Sequence, residues 1–333
     1  MPDAKLSAYT QLTGAGSLAD ADELEVVDKS DTAMAASGTN KRMVAGDLRS
    51  ELLRLPAIAT PAAPAAGFVQ LFGKAVGGGR VLPAYVGPSG VDSALQPMLS
   101  RNRVQWACGG GGNTLTAMGV VLTATGTLTA PTYATTNLHQ SVAHAEYLVT
   151  VAATTAVAGF RGSVANVWRG NAAGLGGFYF SCRWGPATGV ATASERAFVG
   201  LRAATGAPTD VQPSTLVSCL GMGWDSADTN AQFMSNDATG TCTKVDLGAS
   251  FPVPTADRTA LYELVLFCKP NDTQVTWQVT NLVTGAVASG TVTAAADLPA
   301  NTAFLLPFGY VSAGGTSSVV GLSLVNLYIE SDT

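Results

Sequence analysis

The sequence predicts a mainly β chain: a β-sandwich of jelly-roll type behind an extended N-terminal segment with one short helix. Two observations predict it, and a third bears on assembly. From residue 104 onward, short runs rich in β-branched and aromatic residues recur between Gly, Pro, Asn and Asp punctuation. Helical periodicity is almost absent there, and no repeat of about 20–50 residues marks a solenoid. Charged residues make up only 12% of the 333 residues, against about 25% in ordinary domains, and mean hydropathy is +0.25. Surface that is normally charged is therefore small and polar or buried between subunits, which favours an oligomer.

In chain order, residues 1–18 are polar and unpatterned, an arm ordered only where it touches a neighbour. Residues 19–55 offer one strand at 23–27, a polar loop and a helix at about 46–55, too little apolar surface for a core of their own. Residues 1–55 are accordingly expected to be an attachment and oligomerisation segment. Ala45, Leu48, Leu52 and Leu55 follow one another by three, four and three residues, the spacing of a coiled-coil seam. Two turns are too short to associate alone, and an amphipathic helix packed on its own chain would show the same spacing. Pro56 ends the helix, and PAIATPAAPAA over 56–66 reads as a semi-rigid spacer holding it away from the next body. Residues 67–103 form a Gly/Pro-rich neck of irregular or short-stranded packing, with Gly77-Gly78-Gly79 as a turn. At a trimer axis three chains would wind together there; a surface meander suits the same residues.

The body spans 104–333. Strands are expected at 177–184 (GFYFSCRW), 197–202, 216–224, 261–269, 274–282 and 319–330. Alternation is clearest in QVTWQVT, where Val275, Trp277 and Val279 face one way. Pro270-Asn271-Asp272 and Thr284-Gly285 punctuate three consecutive antiparallel strands over 261–292.

The run from Leu18 through Asp28, Ser30 and Asp31 to Ser37-Gly38-Thr39-Asn40-Lys41-Arg42, closing on Asp47-Leu48, resembles a segment near the start of tail-fibre and related structural proteins of tailed bacteriophages. A weaker resemblance runs from Phe72-Gly73-Lys74 through Leu82-Pro83, Gly87-Pro88-Ser89-Gly90 and Leu95-Gln96-Pro97 into a body similar to the carbohydrate-recognising end of such fibres. The 263–290 region has a concanavalin-like look. The resemblance implies a homotrimeric virion protein that docks on other virion proteins through residues 1–55 and binds host surface polysaccharide. It brings no catalytic motif. A head fibre or capsid decoration without receptor binding, or a polysaccharide depolymerase, are the alternatives.

Composition excludes several classes. With net charge -5 and no basic cluster beyond Lys41-Arg42, the footprint of nucleic-acid binding is missing. Met1-Pro2-Asp3-Ala4-Lys5 lacks the basic and apolar regions of a signal peptide, and no apolar run reaches the roughly 18 residues of a bilayer span. The chain is expected to be made in the host cytoplasm without membrane insertion, and to reach the exterior as part of a virion. Cys108, Cys182, Cys219, Cys242 and Cys268 contain no C-x-x-C pair, so buried reduced thiols are expected rather than a metal or redox site. His139 and His144 are the chain's two histidines. With Glu146 they could hold a divalent metal, but a five-residue interval puts the rings on opposite faces of a strand, and a solvated sheet face accounts for them as well. No cofactor is expected.

Scarce histidine removes most routes to nucleophilic catalysis, and no G-x-S-x-G elbow or phosphate loop is present. Glycoside cleavage needs two carboxylates about 5–10 Å apart, and Glu195, Asp210, Asp225, Asp228, Asp237 and Glu263 supply candidates that sequence cannot pair. No enzymatic activity is expected. Sugar binding asks for an exposed ring over the apolar sugar face and nearby carboxylates or amides. Trp224, Asp225, Asp228, Asn230, Asn236 and Asp237, around a short strand at 231–234, form the densest such cluster. A turn-rich hairpin with Asx turns explains the same residues, and the Asp/Asn spacing admits calcium without the full loop signature. Trp168 and Trp184 are expected in the core.

Overall fold

The computed structural model of the chain describes residues 23–28, 39–44, 55–75, 81–87, 92–94, 103–108, 114–117, 120–189 and 194–331. The chain divides into two compact units, Met1–Ala75 with Val81–Leu95, and Val76–Arg80 with Gln96–Thr333. Ala45, Leu48, Leu52, residues 46–54 of the helix expected at about 46–55, and the turn at 77–79 lie outside the described residues.

In the first unit, β1 (Glu23–Asp28) and β2 (Thr39–Val44) form an antiparallel hairpin, Glu23 opposite Val44 and Asp28 opposite Thr39. The sequence suggests β1 but takes the polar run TNKRMV for loop. The backbone ladder with β1, which needs no apolar side chain, makes it a strand. β3 (Gln70–Ala75), β4 (Val81–Val86) and β5 (Asp92–Ala94) form a three-stranded antiparallel sheet over a small cluster of Phe72, Ala84 and Val86. The proline-rich run is tied down at its start: Ala57 bridges Gly73 in parallel, and Ile58 N donates to Gly73 O at 3.0 Å. Leu55, just before it, is 37% exposed.

The second unit contributes β6 (Arg103–Cys108), β7 (Thr114–Ala117), β8 (Val120–Thr125), β9 (Thr127–Thr129), the one-turn helix α1 (Leu138–Ser141), β10 (Ala145–Ala153), β11 (Val157–Gly162) and β12 (Phe178–Thr188). There follow β13 (Arg196–Arg202), β14 (Cys219–Trp224), β15 (Gln232–Asn236), β16 (Thr243–Asp246), β17 (Tyr262–Cys268), β18 (Val275–Asn281), β19 (Val287–Val292), β20 (Leu306–Ser312) and β21 (Ser318–Ser331). They build two antiparallel sheets. One runs β19-β18-β17-β12-β21-β10-β9, with β6 also on β21; the other runs β16-β15-β14-β13-β20-β11-β8-β7. The long strand β21 holds the first sheet together: β12 lies along one of its edges, while β10 and β6 share the other end to end. This is the mainly-β sandwich the sequence predicts.

Aromatic rings join the sheets. Trp184 of β12 stacks on Trp224 of β14 at 5.7 Å, and Phe233 of β15 on Trp277 of β18 at 4.4 Å, geometries that add to their area burial. On β18, Val275, Trp277 and Val279 point into the core as their alternation predicts. β14, β15 and β20 break the alternation and are buried along their whole length. The second sheet is covered on its outer face too, where Phe198, Leu216, Cys219, Met234, Cys242, Leu306, Phe308 and Tyr310 form a further apolar cluster. The connection between β13 and β14 helps to close it, Tyr310 Oη donating to Val211 O at 3.0 Å. Gly309 in β20 is required by the inner face: a Cβ there would lie 2.9 Å from Val199 and 3.0 Å from the Phe160 ring. Cys182, Cys219, Cys242 and Cys268 are free and buried. Among the described residues no helix is long and apolar enough to cross a membrane.

Candidate functional site

Trp224 is not the exposed ring that sugar stacking requires. It is fully buried, its ring packed in the core against Trp184, with Tyr262 at 6.4 Å, because it lies on the face of β14 that turns to the first sheet. Its polar neighbours are spent on one another. Lys244 Nζ lies 3.1 Å from Asp225 Oδ2 and 2.6 Å from Asp228 Oδ1. Burial lowers the Lys244 pKa, but the bonds to Asp228 and Asp225 outweigh it and raise it. Asp225 Oδ1 accepts from Ser214 N at 2.9 Å and Asp228 Oδ2 from Asp225 N at 2.8 Å. The cation between these carboxylates is therefore an ammonium, where calcium was a candidate. Asn230 Nδ2 donates to Asp246 Oδ2 at 3.3 Å, buried Asn236 donates to Leu216 O at 2.8 Å, and Asp237 Oδ1 accepts from Thr239 N at 2.7 Å. The hairpin with Asx turns is what these residues build.

The two histidines do not lie on a solvated face. His139 stands on α1, whose first turn is capped by Asn137 Oδ1 accepting from Gln140 N at 3.0 Å, and its ring is buried. Nδ1 donates to Ala260 O at 2.7 Å and Nε2 accepts from the Ser323 hydroxyl at 2.8 Å, since a carbonyl can only accept. Burial leads the causes that push the His139 pKa down to about 4. His144, also buried, meets His139 edge-on at 5.3 Å and Tyr133 at 5.9 Å. Its Nδ1 donates to Val142 O at 2.7 Å, and Nε2 lies 3.4 Å from Glu146 Oε1. Glu146, the second residue of β10, is gripped by Arg258 through both oxygens, Nε to Oε1 at 2.7 Å and a terminal nitrogen to Oε2 at 2.9 Å. Burial raises the Glu146 pKa, but hydrogen bonds from Arg258 and His144 overcome it and hold the carboxyl down at about 2.

One ligand atom from each of His139, His144 and Glu146 comes within 4.8 Å of the others, so a metal must be considered. The residues do not suit one. Both Glu146 oxygens bond Arg258, both His139 nitrogens are engaged, and the guanidinium supplies the positive charge a divalent ion would bring. The cluster is a polar network on the face of the first sheet turned away from the core, since Ala145, Tyr147, Leu322 and Leu324 beside its residues face inward.

The remaining candidate carboxylates among the described residues are Glu263, Asp210 and Glu195. Glu263 binds Arg183 at 2.7 Å and Asp210 binds Arg196 at 3.3 Å. Glu195, just before β13, has its pKa raised by burial to about 8 despite the Trp224 indole donating to Oε2 at 3.0 Å. Its Oε1 has no partner. A raised carboxyl can mark a general acid, but Glu195 is only 4% exposed and faces core aromatics.

An exposed ring lies elsewhere. Phe304, 46% exposed, stacks on half-buried Trp168 with centroids 5.0 Å apart and planes at 24°. Trp168, expected in the core, is thus at the edge of the sandwich. Local pattern could not find this pair, because its members come from connections far apart in sequence.

No known protein family matches the chain, and no curated protein matches it. Solved structures similar in shape include a protein of unknown function from Shewanella oneidensis (TM-score 0.44, 13% identity, 69% of this chain and 87% of that one). Others are lectin II from Ulex europaeus (TM-score 0.40, 9% identity, 70% and 94%) and the CBM2 module of the evolved Dit of Lactobacillus casei BL23 phage J-1 (TM-score 0.39, 15% identity, 68% and 96%). The fold assignment rests on the chain's own two sheets.

Proposed function

We propose that the chain is a tailed-phage structural protein, displayed on the virion exterior, that attaches through its N-terminal segment and presents its β-sandwich to polysaccharide of the host surface. The observation that carries this reading is the fibre-like segment around residues 18–48. Part of it folds as the β1/β2 hairpin, in a unit separate from the sandwich. An attachment module and a binding module on one chain is the division of labour a fibre needs. The sandwich supports a binding role over an enzymatic one, since the carboxylates that could form a hydrolytic pair are ion-paired, engaged in turns or sealed.

Purified full-length chain is expected to bind particular members of an array of bacterial surface polysaccharides, and to block adsorption of the parent phage to cells bearing them. Failure on every polysaccharide together with no competition would reject receptor binding in favour of a decoration protein. Shortened polysaccharide after incubation would instead make it a depolymerase. The low charge content and the segment at 1–55 further suggest a homotrimer, which gains avidity from three weak sites. Light scattering is expected to give three times the chain mass; a monomer at micromolar concentration would discard that part.

A further inference from the structure

We propose that the Phe304–Trp168 pair, at one end of the sandwich, is a carbohydrate subsite on which a pyranose ring stacks. This rests on the glycan-binding reading and gives it a location. The pair is held by three connections: 163–177 between β11 and β12, 269–274 between β17 and β18, and 293–305 between β19 and β20. They are fastened by backbone hydrogen bonds. Val167 and Leu305 exchange hydrogen bonds at 3.1 and 2.6 Å, and Gly177 N donates to Trp168 O at 3.0 Å. Asn271 N donates to both Arg169 O and Leu175 O, at 2.9 and 3.1 Å. Arg169, next to the Trp, is buried and used as a staple: Nε donates to Pro299 O at 3.0 Å and a terminal nitrogen to Asp272 O at 3.1 Å.

The turn at 170–176 closes so tightly that a Cβ at Gly170, where φ is +92°, would fall 1.8 Å from Leu175 O. Only glycine passes there. A platform this constrained loses little entropy when a ligand lands on it. What it presents is one aromatic face with its rim. Phe304 is backed by the Trp168 ring and is 46% exposed, and Leu175 beside the tight turn is 47% exposed. The exposed polar side chains of these connections are neutral, among them Asn171, Asn271, Thr273, Asn301 and Thr302, with Lys269 as the charged exception. Amides and hydroxyls that donate and accept without charge match the alternating hydroxyls of a sugar, whose C–H face would cover Phe304. The Arg169 guanidinium is turned inward on two carbonyls, which leaves Lys269 as the exposed cation among these neutral groups.

The test uses the full chain on the polysaccharide array, with Phe304→Ala, Phe304→Tyr and Trp168→Phe compared with the parent chain. The subsite requires roughly tenfold or greater loss of affinity in Phe304→Ala, near-parent affinity in Phe304→Tyr, and a ligand-induced change in tryptophan emission that disappears in Trp168→Phe. Unchanged melting temperature in Phe304→Ala excludes misfolding as the cause. If it melts early, the emission change in the parent chain decides alone. Parent-level binding by Phe304→Ala overturns the subsite while leaving glycan binding intact. If the parent chain binds nothing on the array, both readings fall. A change in oligomer mass on mutation with binding unaffected assigns the rings to a contact between copies and also overturns the subsite.

Discussion

Replacing Arg258 with Met is expected to cost the sandwich about 3–5 kcal/mol, the usual consequence of stranding one buried charge. Glu146 has almost no solvent, and Arg258 bonds both its oxygens. Without the guanidinium the carboxylate keeps only the long contact to His144. Urea unfolding at neutral pH measures the loss as a lowered midpoint. Adding Glu146→Gln to the same chain should recover part of it, because the double variant buries no unpaired charge; a double variant as weak as the single one would show that packing and not charge was lost. Acid behaviour follows with a definite sign. Glu146 ionises more readily folded than unfolded, so its contribution is present above about pH 4.5 and is lost as pH falls through about 2. His139 resists protonation in the fold, so it favours unfolding progressively as pH drops from 6.5 to about 4.

Glu195→Gln is expected to stabilise the protein near neutral pH, on the order of 3 kcal/mol. The folded state holds on to a proton that the unfolded chain releases, so wild-type stability should fall as pH rises from 4.5 to about 8 and level off beyond. A glutamine still accepts from the Trp224 indole and has nothing to ionise. Between pH 4.5 and 6.5 the slopes from Glu195 and His139 oppose each other, so the wild type should be nearly flat there, and the variant should show the uncovered acid slope of His139. Chemical unfolding across pH 4–9 tests this; an identical pH profile in both chains would mean that Glu195 is already ionised in the fold.

The legible parts of the sequence were those with local signals. β18 showed its buried face by alternation, and β12, β13, β17 and β21 were bracketed by turn residues. β20 was hidden because Pro307 and Gly309 read as breakers, although Gly309 is there to admit Val199 and Phe160. Trp224 was misjudged for a related reason. It points between the sheets at Trp184 of β12, a partner forty residues away that leaves no local signature, while the polar residues after it suggest an exposed loop. The polar cluster was further out of reach, since His139, Glu146, Arg258 and Ser323 come from a helix, two strands and a loop. Their chemistry was visible as residue types, and their meeting is a property of the closed sandwich.

That closure also sets a schedule for biogenesis. The two sides of the first sheet meet only across β21, and the bond between His139 and Ser323 joins groups 184 residues apart. Loop closure on that scale is slow, and on a ribosome β10 and β12 emerge long before the strand that unites them. Until then each offers an unsatisfied edge to whatever is near. Three nascent copies held side by side would expose three such edges at once, so a chain that trimerises early risks exchanging β21 between neighbours.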